Sequence, residues 1–543
     1  MARVKGSRRG RERANAPGRR WSASSPSLWA ALGGAVSLLL ALAAFDPYLF
    51  TGGDNVHYYA LAKALATGRG YVDLVEPGAP LHVQYPPGFP ALLVPFYLVS
   101  GGSLVAMKTL PWLAAAALLG GTWLLARRDP AVAGWAAAAA VWGLGLYHAT
   151  QTYAHRLLSD LPYVALVALA LAVLQGTVRE GDDRDRVDRA WIGGCALAVL
   201  AFYVRVVGMT LLGAIGLWAL ATRRWKRAAT SMGVFAASLL PGVIPWLLRV
   251  RRAPTETGDY LAQLSVFNPL RGGDGNWDRL LERLHDIGVE YGTYQLPGLF
   301  WPSATPPDPA RVVGALLGGI LVAWGITRAI RSRGPAPWDL YVLATLAVLP
   351  IWPWLGDRYV LTLAPFLWLY LLIGLDGASR RLVGGPAVGV LAVGALSAFL
   401  LVARVREIPD RWDRTRDWLA GEELAGYDPF WEDYFSAARW IGENAPEDAI
   451  VLARKPTLTW YWSGRHAIDW PFWESPEEKW RYIRRQGVSH ILIEPESARD
   501  LIGVLTEHDD RMSMPFHRPG TEVAVFTLAP EPESPSGAGP SAP

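Results

Sequence analysis

What most constrains this chain is a series of apolar blocks, each about as long as the roughly 20 residues needed to cross a 30 Å hydrocarbon core. The blocks recur up to about Ala403 and then stop. Those at 27–45, 104–126, 131–147, 161–176, 190–204, 206–222, 228–248, 311–330, 338–354, 359–376 and 384–403 give eleven expected spans. The segment at 87–100 is equally apolar but short and rich in proline, and reads as a helix lying on the membrane surface. Charged residues make up 18% of the 543 and hydrophobic ones 51%, whereas soluble domains carry about a quarter charged residues. The expected fold class is a polytopic α-helical membrane protein with about eleven spans, juxtamembrane helices in its first outer loop, and a small C-terminal α/β domain outside the membrane.

Loop charge orients that fold. Arg127 and Arg128, then Arg179, Arg184, Arg186 and Arg189, then Arg223, Arg224, Lys226 and Arg227, then Arg328, Arg331 and Arg333, then Arg380 and Arg381 fall in alternate loops. The opposite short loops carry Arg156, Arg205 and Arg358 singly. Basic residues favour the cytoplasmic side, so the N-terminus is expected inside and the C-terminal domain outside. Counting 87–100 as a span inverts every later loop and breaks the pattern. Residues 1–26 read as a basic cytoplasmic arm, and 27–45 as a retained anchor, because the apolar core of a cleaved signal peptide runs to only about 7–15 residues. The expected division is a membrane module over 27–403, with long outer loops at 46–103 and 249–310, a soluble domain over 404–529, and a disordered tail over 530–543. In the soluble part the pattern predicts helices at 430–444 and 477–486 and strands at 449–453, 490–493 and 523–528. Ala, Gly and Arg are abundant, which suggests a prokaryote, and a bacterial inner membrane is the expected location. The single Cys195 excludes a disulfide framework and a cysteine metal site. No nucleic-acid partner is expected.

Polar groups at span ends are expensive and therefore functional candidates. Asp54 follows the first span on a Gly-Gly turn and opens a short surface helix whose apolar side is built from Val56, Tyr59, Ala60 and Ala64. Asp160 opens the fourth span, Arg205 ends the fifth, and Asp357-Arg358-Tyr359 begins the tenth. All four places fall on the outer side. Two carboxylates and two guanidiniums at one boundary suit a reaction in which a hydroxyl or amine loses a proton beside a phosphate leaving group. A carboxylate serves as base, and arginine binds phosphate through its planar fork. The plainer readings are an N-cap for either aspartate, an interfacial anchor for Arg358 and a structural ion pair for Arg205. His57, His148 and His155 are too scattered to define a metal site, and Gly272-Gly-Asp-Gly275 reads as a turn rather than a phosphate cradle. No nucleophilic serine, zinc or dinucleotide motif is present.

Asp54 followed by His57-Tyr-Tyr-Ala-Leu-Ala62, then Gly70-Tyr71, then Tyr85-Pro-Pro-Gly-Phe-Pro90 resembles the lipid-dependent glycosyltransferases of the C superfamily. The protein mannosyltransferase, aminoarabinose transferase and rhizobial lipopolysaccharide transferase group is the most similar branch. Ser159-Asp160-Leu-Pro162, Arg205 to Gly208, Arg358-Tyr359, and the tail run from Ala437 to Val451 are similar to the same group. The resemblance implies transfer of a sugar from a polyprenyl-phosphate donor to a lipid, glycan or protein acceptor on the non-cytoplasmic face. It implies Asp54 as catalytic base or acceptor-orienting carboxylate and Asp160 as a second active-site acid. Asn55, His57, Tyr58, Tyr85 and Tyr359 are the substrate-contacting candidates, and Arg205 and Arg358 are assigned to the lipid phosphate from their chemistry. No cofactor is required by these motifs, and a divalent cation is left open. Two positions depart from the group: Asn55 stands where many relatives carry a second acid, and Gln84-Tyr85 where aminoarabinose-type members carry an acid and a lysine. The donor sugar is therefore open. A transporter or flippase is the competing reading, but the span interiors are nearly free of charge, unlike the midplane sites of transporters. A non-catalytic envelope assembly protein is the third, and it predicts that Asp54 tolerates change. Trp460-Tyr-Trp462 and Trp470-Pro-Phe-Trp473 suit sugar stacking or packing.

Overall fold

The computed structural model describes residues 25–52, 54–178, 185–251, 276–350, 355–471 and 474–529. The basic arm, Gly272–Gly275, the Phe472-Trp473 end of the second aromatic run and the C-terminal tail lie outside them. Each of the eleven apolar blocks is mainly helical among the described residues, the block at 338–354 over Pro337–Val348 and that at 359–376 split between Asp357–Leu361 and Ala364–Val383. Among the described residues, five helices are long and apolar enough to cross a membrane: Pro26–Ala43, Leu104–Arg128, Trp225–Arg249, Asp308–Arg333 and Ala387–Leu419. The rest are shorter apolar helices or, at Ala364–Val383, a largely buried one. Length explains the difference, since 12–16 residues at 1.5 Å rise span about 18–24 Å.

The inner helices are apolar all round and are buried by their neighbours. Asp160–Gln175 packs against Thr109–Arg128 and Arg189–Val204, and Ala364–Val383 against Asp308–Arg333. Trp191, Trp218, Trp338 and Trp368 are fully buried among them. The long outer helices instead expose Leu240, Ile244, Leu316, Ile320 and Leu391, the apolar belt that lipid contact requires. At one end of the bundle a buried polar network ties four helices. Arg333 meets Asp129 and Asp339 at 2.7 Å each, and the Trp338 N–H and the Tyr370 O–H donate to those carboxylates.

The opposite end carries the first loop. Asn55–Ala66 and Gly88–Ser100 are helices, joined by a tight excursion in which the Asp73 N–H donates to the Pro80 carbonyl at 2.8 Å and Val72 bridges Leu81. Gly88 is required by packing, because a Cβ there would run into the Tyr203 carbonyl. The motif Tyr-Pro-Pro-Gly thus seats its helix against the residues just before Arg205.

Beyond the last long helix lies a five-stranded mixed sheet in the order β2-β1-β3-β5-β4. Its strands are β1 (Ile450–Leu452), β2 (His466–Ile468), β3 (His490–Ile493), β4 (Met512–His517) and β5 (Ala524–Leu528). β1 is parallel to β2 and β3, and β5 is antiparallel to β3 and β4. The pattern predicts β1, β3 and β5 but not β2 or β4. β4 is mostly exposed and carries Pro515 at its register shift. The Ala467 N–H of edge strand β2 donates to the Val75 carbonyl at 3.0 Å, docking the sheet on the first loop.

Candidate active site

Asp54 stands at the N-cap position of Asn55–Ala66, yet its side chain makes no capping hydrogen bond. It turns to the loop instead. The Tyr85 hydroxyl donates to one oxygen at 2.9 Å, and Arg358 Nη2 meets the other at 3.3 Å. The plain N-cap reading therefore does not describe it. Arg358 is aimed by Gly356, whose φ of +133° lies in the region glycine alone enters freely. The Tyr153 hydroxyl fixes the next residue, Asp357, at 3.0 Å.

Asp160 is fully buried at the first position of its helix. Both its oxygens are taken: Arg205 pairs with one, and Arg358 contacts both through Nε at 3.2 Å and Nη2 at 3.1 Å. Arg205 reaches it because the chain turns extended after Val204, and its guanidinium also donates to Ser159 Oγ at 3.4 Å. A buried carboxylate is tolerated only when its charge is matched in this way. The residues read from four separate points of the sequence thus converge. Arg358 bridges the two carboxylates, and its Nη1 makes no hydrogen bond to the described residues.

The other candidates divide. Tyr58 is buried and shares a hydrogen bond with Ser159 at 3.0 Å, strutting the first loop to the Asp160 helix. Asn55 is also buried, its amide donating to the Gly52 carbonyl at 2.6 Å, while its Oδ1 has no partner among the described residues. Tyr359 lies under the Arg358 guanidinium, 5.6 Å from Cζ.

His57 belongs to a cluster that includes two residues not singled out from the sequence, Asp73 and His82. His57 Nε2 and Asp73 Oδ2 are 2.9 Å apart, and His82 Nδ1 lies 3.5 Å from the same oxygen. The Tyr85 N–H donates to His82 Nε2 at 2.9 Å, which assigns the ring proton of neutral His82 to Nδ1, facing Asp73. Burial raises the Asp73 carboxyl, but the adjacent His57 outweighs it and holds Asp73 well below the usual range. For His57, burial lowers the ring and the Asp73 charge more than reverses that. A chain of contacts therefore runs from His57 through Asp73, His82 and Tyr85 to Asp54. Arg249 braces it from a neighbouring helix by donating to the carbonyls of His82 and Tyr71. Short-range sequence spacing carries no sign of Asp73 and His82, because both are ordinary polar loop residues until the excursion folds back.

Among the described residues, His57, Asp73 and His82 are the group able to hold a metal, with one ligand atom from each within 4.8 Å of the others. His148 and His155 are not in it. The donor set suits a divalent cation of the zinc type, provided the Nδ1 proton of His82 is displaced.

No protein-family model and no curated protein sequence matches the chain. Solved structures do. ArnT from Cupriavidus metallidurans bound to undecaprenyl phosphate is 16% identical, with 93% of this chain and 98% of that chain covered and a TM-score of 0.57. The oligosaccharyltransferase AglB from Archaeoglobus fulgidus, in complex with an inhibitory peptide and a dolichol-phosphate, is 13% identical over 94% of this chain and 75% of that one, with a TM-score of 0.57. The Archaeoglobus enzyme in complex with Zn and sulfate is 12% identical over 92% and 73%, with a TM-score of 0.56. ArnT and AglB are both lipid-dependent glycosyltransferases of the C superfamily. The likeness to these structures is one of fold, at TM-scores of 0.56–0.57.

Proposed function

We propose that this chain is a multi-pass membrane glycosyltransferase that moves a sugar from a polyprenyl-phosphate donor to an acceptor at the membrane surface. Its N-terminus lies in the cytoplasm and the sheet domain outside. The observation that carries the reading is the Asp54 carboxylate, which leaves its own helix uncapped and is held by Tyr85 and Arg358. Asp54 removes the proton of the acceptor hydroxyl or amine. The new bond forms at the anomeric carbon as the carbon–oxygen bond to phosphate breaks, and the electron pair leaves with the polyprenyl phosphate. Arg358 stabilises that charge through the N–H groups its two carboxylates do not use.

Asp160 takes a different part from the second acid that the resemblance implies. With both oxygens in guanidinium pairs and no exposure, it acts as a positioning residue for Arg205 and Arg358. The likeness of fold to proteins bound to undecaprenyl phosphate and dolichol-phosphate supports a polyprenyl carrier.

Purified protein in lipid, given a panel of polyprenyl-phosphate sugars, is expected to release free polyprenyl phosphate from one of them only when acceptor is present. Uptake of a donor into vesicles with no glycosylated product would instead establish transport.

A further inference from the structure

A second cavity, of about 310 Å³, lies between the end of the first helix and the sheet domain. Lys108, Arg156, Arg411 and Arg414 line it, with Asp46 and Asp428 as the carboxylates. The cations are poorly matched. Arg411 and Arg414 share Asp46, at 2.9 and 3.3 Å. Lys108, 2% exposed, donates to the carbonyls of Asp46 and Tyr48 at 2.6 and 2.5 Å. Arg156 lies 3.6 Å over the Phe50 ring. Neither Lys108 nor Arg156 forms a salt bridge with a carboxylate among the described residues. Asp428 spends its side chain capping the next helix at the Trp431 N–H.

Unmet polar groups point the same way. His155 lines the cavity and is 8% exposed, and its Nδ1 is buried with no partner among the described residues. Arg414 Nε is likewise buried without one. Lys108 is buried, whereas Arg156, Arg411 and Arg414 are partly exposed. A buried cation without a carboxylate is costly unless an anion compensates it, and guanidinium forks match phosphate oxygens.

Position narrows the source. Asp46 lies three residues beyond the first helix, which ends at Ala43. Arg411 and Arg414 sit near the end of Ala387–Leu419, whose 33 residues make about 50 Å, more than the roughly 30 Å hydrocarbon core. The cavity is therefore at the level where lipid phosphates lie. It is separate from the Asp54–Arg358–Asp160 centre, whose residues do not line it.

We infer that this cavity is a second anion-binding site, built by Lys108, His155, Arg156, Arg411 and Arg414 to take a phosphate group at the membrane boundary. The phosphate comes from a lipid headgroup or from free phosphate, and binding assays separate the two.

The full chain is reconstituted in phosphatidylcholine nanodiscs with and without phosphatidylglycerol. Retained lipid is counted by native mass spectrometry, and inorganic phosphate is titrated by calorimetry. Arg156→Gln and Arg411→Gln are compared with wild type and with Arg481→Gln, which removes an exposed charge elsewhere. Retention of phosphatidylglycerol, weakened about tenfold in each cavity variant and unchanged in Arg481→Gln, establishes the lipid source. Phosphate binding with the same variant pattern and no lipid preference establishes free phosphate. Equal retention of the two lipids by wild type together with no phosphate heat overturns the site, as does binding that the cavity variants leave unchanged. The wild-type arm decides even where a variant fails to fold. No sugar donor is used, so the outcome is independent of the transferase reading.

Discussion

At the scale of single residues, the site separates two carboxylates that look equivalent in sequence. Asp54 keeps one side open, with its side chain 26% exposed, whereas that of Asp160 is 0% exposed. Their substitutions should therefore differ in kind. Asp160→Asn leaves Arg205 buried with its charge unmatched, and removing one partner of such a pair costs about 3–5 kcal/mol. A large drop in the thermal unfolding midpoint is expected, together with lost activity. Tyr85→Phe removes a single hydrogen bond to Asp54. Its cost of about 1 kcal/mol should appear as a roughly fivefold fall in kcat, with the donor KM and the unfolding midpoint nearly unchanged. A fall in stability as large as that of Asp160→Asn would assign Tyr85 to the scaffold.

At the scale of elements, the motif Tyr85-Pro-Pro-Gly88 is a packing device as much as a recognition one. Gly88→Ala must push its helix away from Tyr203 and Val204, and so displace Arg205. Loss of most activity is expected, together with a lowered unfolding midpoint; full retention of both would show that the backbones have room to part. The same contrast explains what the sequence made legible. Asp54, Asp160, Arg205 and Arg358 could be found because each stands at the end of an apolar block, where a charge is conspicuous. Asp73 and His82 could not, since their meaning depends on a turn that brings residue 73 against residues 57 and 82. The edge strand β4 escaped for a related reason, being too exposed to show a period of two. Asn55 was legible as a neighbour of Asp54 but not as a buried clasp on Gly52, because side-chain direction within one helical turn is set by what packs around it.

At the scale of the whole molecule, one end of the helix bundle is closed by the Arg333, Asp129 and Asp339 network, while the other holds the Asp54, Asp160, Arg205 and Arg358 cluster. The junction of the first loop with the sheet carries a titratable group. Glu76 follows Val75, the residue on which the sheet docks, and burial and the Asp73 charge push its carboxyl up to about 7 from an ordinary 4.5. An acid raised on folding holds its proton more tightly in the folded chain. It therefore costs nothing below about 4.5, and becomes a penalty as pH rises towards 7. Glu76→Gln should remove that penalty, raising stability at pH 8 by on the order of 1–2 kcal/mol and flattening the loss of unfolding midpoint between pH 5 and 7. An unchanged pH profile in the variant would place the titration elsewhere.

The measurement that bears most directly on the account is the single-turnover rate of Asp54→Asn with the donor that wild type uses. A positioned base contributes about 10²- to 10⁴-fold. The variant should therefore lose at least about 10²-fold in rate while binding the donor with nearly wild-type affinity and unfolding at the wild-type midpoint. A variant that is equally folded, binds donor and transfers sugar at the wild-type rate would contradict the assignment of Asp54 as base.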